Sequence, residues 1–232
     1  MFGILLGIGG LQMLAMLVNI GRTKILALWV GPEGIGVISS IDQTIQFVTH
    51  VCTLSLPFAA VKFLSKAHSE GGDAFRDGYA VFLKVLLLLS TTGALAATGV
   101  VLFRIDLFPA KIVPYQTLLV VGLLGIPATA LAGLFPNVLA AAQHATGSAR
   151  LIVLTGIAMA IASICGLFVG GITGFYVASV ATITVLALVV VEYLRRVLGL
   201  SMAQCRVSIV AGFRRMGNVV SFSALFYTGA VA

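Results

Sequence analysis

The chain has 232 residues, of which 60% are hydrophobic and 9% charged, with 14 basic residues against seven acidic for a formal charge of +7. A soluble domain carries about 25% charged residues, so this composition excludes an ordinary soluble fold and places the chain among integral membrane proteins. The basic excess reads as cytoplasmic loops facing anionic lipid or an anionic substrate; no aromatic-rich basic patch points to nucleic acid.

The first 20 residues are apolar but carry neither a basic leader nor a small-residue cleavage site, so they read as a retained helix. Helix one is predicted from about residue 3 to about 30, long and tilted, with Arg22 and Lys24 inside it. "GPEG" ends it, because Pro32 removes a donor and disfavours helical geometry at Gly31. Helix two is predicted over about 35–63. The polar stretch "KAHSEGGDAFRDG" (66–78) reads as a loop, and helix three follows over about 79–103. Arg104, Asp106, Pro109 and Lys111 mark the next turn. Helix four fills 112–143 and is predicted to kink at Pro127. Residues 151–191 are uncharged and would extend about 61 Å as one helix, twice a bilayer core. They read as helices five and six, joined by a tight turn at "GGITG" (170–174). The region 195–215 holds Arg195, Arg196, Arg206, Arg214 and Arg215, and residues 198–214 within it read as a basic cytoplasmic linker. The apolar run from 215 to 232 is predicted to begin a truncated helix seven.

The expected architecture is therefore an all-α integral membrane helix bundle. Six full transmembrane helices occupy residues 1–197, and the start of a second lobe follows the linker. With the N-terminus in the cytoplasm, the inner loops hold Lys62, Lys66, Arg76, Arg150 and the five linker arginines. The outer loops hold Arg104 and Lys111, the asymmetry that the positive-inside rule requires.

Polarity inside the spans is not scattered. At about 100° per residue, Asp42, Thr49, Thr53, Gln46, Ser39, His50 and Gln43 fall within an arc of about 120° on helix two. Such a stripe belongs against other helices or a water-filled cavity. On helix one, Arg22 shares a face with Asn19, and Lys24 points the other way. An ionised group in hydrocarbon costs about 2.5–3.5 kcal/mol on insertion scales, a cost that Arg22 and Asp42 would reduce if they faced one another across helices one and two. Two readings stand for them, a structural ion pair or the wall of a hydrated substrate path. Asp42 and His50 are the candidates for proton coupling. Gln46 suits sugar hydroxyls or helix–helix adhesion, and Asn137, after Pro136, suits packing or a cavity wall. Cys52, Cys165 and Cys205 are far apart and read as small core residues. No metal-ligand spacing, nucleotide-binding loop or Ser/His/Asp arrangement appears, so neither an enzyme nor a cofactor is expected.

The segment "RTKILALWVGPEGIGVISSIDQTIQFVTHVCTLSLPFAAVKFLSKA" (22–67) resembles the N-terminal signature of the polysaccharide transporter family, the Wzx-type flippases of the multidrug/oligosaccharidyl-lipid/polysaccharide exporter superfamily. The shared features are a basic residue late in helix one, a "GPEGxG"-like turn, a polar, Gln-bearing start to helix two and a basic loop. The resemblance implies 12 to 14 helices in two lobes around a central cavity. It also implies alternating access and transport of an undecaprenyl-diphosphate-linked glycan across the bacterial inner membrane, beside a polysaccharide polymerase and assembly proteins. Arg22, matching the family's basic position, becomes the first candidate for the diphosphate and Lys24 the second. Asn19, Gln43 and Gln46 complete the expected cavity set. The alternatives are a drug or cation antiporter of the same superfamily, which would be expected to favour acidic cavity residues, and a truncated remnant that does not transport.

Overall fold

A computed structural model describes residues 2–54, 56–108 and 112–199. Lys111, most of the 198–214 linker with Cys205, Arg206 and Arg214, and the expected start of helix seven from Arg215 lie outside the described residues. The described residues are helical almost throughout: α1 (Phe2–Thr53), α2 (Leu56–Glu70), α3 (Gly72–Phe103), two short 3₁₀ turns, α4 (Gln116–Leu124), α5 (Ile126–Ala141) and α6 (Ala145–Leu198).

Six separate full spans are not what this architecture displays. Among the described residues, three segments are long and apolar enough to cross a membrane: Gly9–Thr53, Gly72–Phe103 and Ala145–Arg196. The pair Val113–Leu124 and Ile126–Ala141, bent by 43°, makes a fourth if counted as one. The expected boundaries between helices one and two, and between five and six, shrink to one glycine and to two. Gly31 takes φ 72°, ψ 175° inside α1, and Gly170 and Gly171 leave helical geometry inside α6.

Those glycines nevertheless turn the chain back. Gly166 and Gly174 would stand about 12 Å apart along a straight helix. Here a side-chain carbon built on Gly174 would lie 3.0 Å from the Gly166 carbonyl carbon and 3.6 Å from its Cα. The limbs 145–169 and 172–198 are thus antiparallel neighbours, and only glycine lets their backbones touch. In α1, Arg22 and Asp42 would be about 30 Å apart in a straight helix, yet both reach the adjacent residues Phe175 and Tyr176. The limbs 2–30 and 32–53 therefore also fold together at Gly31. Pro32 sits in the first turn of the second limb, where its missing N–H costs nothing.

Three further boundaries differ from expectation. The second limb of α1 stops at Leu54, which adopts φ 49°, so the predicted helix 35–63 is broken near its middle. The polar 66–78 stretch is helical except for Gly71 (φ 135°); charged residues at a helix end are solvated without unwinding it. The kink placed at Pro127 falls at Gly125, because Pro127 occupies the opening turn of α5, a position proline favours.

Two apolar clusters fill the bundle. One joins Leu56, Leu64, Phe75, Leu86, Phe135 and Leu194; the other joins Leu26, Ile41, Val101, Leu119, Phe175 and Tyr176. Met13, Leu17, Leu28, Phe103, Val169 and Leu188 point outward and are well exposed. In lipid this outward apolarity is solvation, and helix association rests on close packing and interhelical hydrogen bonds.

Candidate functional site

Polar side chains inside the bundle gather at two places on the second limb of α1. The first is a junction with α6. Tyr176 is 3% exposed. Its hydroxyl lies 2.8 Å from Asp42 Oδ1 and 3.1 Å from the Ile38 carbonyl oxygen. On the other side of the same residue pair, the Arg22 guanidinium sits 5.1 Å from the centre of the Phe175 ring, and its Nε donates to Ser163 Oγ at 3.0 Å. Ser163 is fully buried and donates in turn to the Ala160 carbonyl. Trp29 packs edge-on to Phe168 at 4.4 Å, closing that end of the interface.

Arg22 and Asp42 are thus brought to one region but not into a direct ion pair. Ion pairs that do form among the described residues include Lys66–Glu70, Arg76–Asp73, Arg104–Asp106 and Glu192 with Arg195 and Arg196. A hydroxyl partner and an aromatic face accommodate Arg22, while a phenol accommodates Asp42. The Arg22 Nη groups carry no hydrogen bond to protein among the described residues.

The second place is a cleft of about 340 Å³ between the end of α1, the start of α2 and α5. Gln46, Thr49, His50 and Thr53 line one wall, Thr129 and Asn137 the other, and Pro57 and Phe58 close one side. Leu54, leaving the helix at positive φ, and Pro57 create the bend that opens this space. Four members of the polar stripe read from the sequence thus share one hollow. Asp42, one turn before Gln46, faces Tyr176 instead.

The remaining candidates lie apart. Asn19 and Lys24 are exposed on the first limb of α1, Asn19 accepting a bond from the Thr23 hydroxyl through its carbonyl. Gln43 is exposed and does not line the cleft. Sequence reasoning missed Ser163, Phe175, Tyr176 and Thr129. For α6 the available signal was weak: Ser163 and Tyr176 stand among several other serines and threonines in an uncharged 41-residue run. Asn137, read chiefly as packing, lines the cleft. Among the described residues no cluster of His, Cys, Asp and Glu could hold a metal ion.

The chain matches no protein-family model, no curated protein and no solved structure.

Proposed function

We propose that the chain is a lobe of a transporter that moves a polyprenyl-diphosphate-linked oligosaccharide across the bacterial inner membrane. In this reading each limb of α1 and α6 crosses the bilayer, as do α3 and the bent α4–α5 pair, giving six crossings with the N-terminus in the cytoplasm. A limb of 22 residues is about 33 Å long, enough for a hydrocarbon core of about 30 Å. Lys62, Lys66, Arg76, Arg150, Arg195 and Arg196 then share the cytoplasmic side.

The observation that carries the proposal is the polar face of residues 42–53. It pairs an interior arginine and aspartate at one level with a hydrogen-bonding cleft that no carboxylate lines at the next. A diphosphate needs a cation with open donors, which Arg22 Nη groups supply. A glycan needs neutral hydrogen-bonding walls, which the cleft supplies. A cation antiporter would place a carboxylate in the cleft, and none lines it.

The test is Arg22→Ala in a cell whose surface glycan depends on the complete protein. Display should be lost while membrane insertion, measured by fractionation, persists. Normal display with Arg22→Ala would remove Arg22 from the substrate path and the proposal with it.

A further inference from the structure

The first limb of α1 has three different sides. Leu11, Ala15, Val18 and Arg22 are half-buried, with Arg22 reaching Ser163 and Phe175. Met13, Leu17, Ile20 and Leu28 form an exposed apolar side suited to acyl chains. The third side, Gly9, Gln12, Met16, Asn19 and Thr23, is also exposed, and it is polar and small rather than apolar. At about 100° per residue these five positions fall within an arc of about 80°. Their spacing alternates between three and four residues, the repeat of one helix packed along another. Among the described residues neither the Gln12 nor the Asn19 side chain has a hydrogen-bond partner. Open space surrounds Gly9. A primary amide turned into acyl chains keeps its donors and its acceptor unsatisfied, which hydrocarbon makes costly.

We infer that this third side of α1 is an interface with a second copy of the chain. Copies inserted the same way up are related by a two-fold axis along the membrane normal, so a residue near the axis meets its own counterpart at the same depth. The side chains suit that pairing. An amide both donates and accepts, so Asn19 answers Asn19 and Gln12 answers Gln12 across the axis. Asparagine at one such position fixes the register of a parallel helix pair. Gly9 and Thr23, at the two ends, are small enough to let the backbones approach. A cation here would be repelled by its own copy. The limb's two cations, Arg22 and Lys24, fall about 100° to either side of the centre of this face. The inference rests on the proposed function only for the first limb's crossing the bilayer; the pairing follows from the face alone.

The experiment is oxidative cross-linking in membranes, on the full chain carrying Cys52→Ala, Cys165→Ala and Cys205→Ala. Asn19→Cys in that background should give a disulfide-linked dimer. Leu17→Cys, exposed on the apolar side, should give none. Fluorescence transfer between separately labelled chains in proteoliposomes measures the association itself. The double variant Gln12→Leu, Asn19→Leu keeps apolar bulk but removes both amides, and should associate about tenfold more weakly. Helical circular dichroism verifies that the variant folds. No cross-link at Asn19→Cys, equal cross-linking at Leu17→Cys, or undiminished transfer in the folded double variant would overturn the inference. Cross-linking through Asn19→Cys should be unchanged when Arg22→Ala is added, so loss of display in that variant and failure of the copies to pair are separate outcomes.

Discussion

The Asp42–Tyr176 contact makes the sharpest energetic statement about how α1 and α6 are held. It is an interhelical bond of 2.8 Å to a carboxyl group, with the phenol 3% exposed. Charge-assisted hydrogen bonds in soluble proteins contribute about 1.5–3 kcal/mol. Interhelical bonds in a bilayer average about 0.6 kcal/mol and reach about 1.7, because the separated helices find other partners. A short bond with a carboxyl acceptor belongs near the upper bilayer value, so the coupling between Asp42→Ala, which removes the acceptor, and Tyr176→Phe should be about 1.5 kcal/mol. The cycle can be measured by equilibrium unfolding in mixed micelles. Trp29, the single tryptophan, packs edge-on against Phe168 in the same interface and reports its separation. The parallel cycle of Arg22→Met with Asp42→Asn should give a smaller coupling, below about 0.5 kcal/mol, since the two side chains make no direct ion pair. An Asp42–Tyr176 coupling below about 0.3 kcal/mol, beside a larger Arg22–Asp42 value, would refute the bridged arrangement in favour of a direct charge pair.

Two further substitutions probe the turns. Gly31→Ala meets no atom within 4 Å, so its cost is purely conformational; at φ 72°, ψ 175° it should destabilise the α1 hairpin by about 1–3 kcal/mol and shift Trp29 emission. Unchanged stability would mean that the turn does not need a glycine. Gly166→Ala puts a methyl group against the backbone of Gly174, which has no rotamer to yield. It should cost about 1–3 kcal/mol, read as a lower unfolding midpoint in the same micelles, whereas Gly156→Ala, with open space around it, should cost nothing measurable. Equal midpoints for the two variants would contradict the close contact of the α6 limbs.

Much of this molecule was legible as pattern. The charge deficit pointed to a membrane bundle, "GPEG" and "GGITG" marked two of the places where helices reverse, and the angular count gathered Gln46, Thr49, His50 and Thr53 on one face. Those features are local: a glycine's freedom and a helix's period act within a few residues, so the sequence alone determines them. Partners are not local. Nothing in the order of residues says that Asp42 meets Tyr176 rather than Arg22, or that Arg22 leans on Ser163 and Phe175, because those contacts join positions more than 130 residues apart. The same holds for the cleft: its first wall follows from the helical period, but Thr129 and Asn137 reach it only through the packing of α5 and the bend between Leu54 and Pro57. Which side chain bears a charge was written in the chain; what answers that charge was decided only when the helices came together.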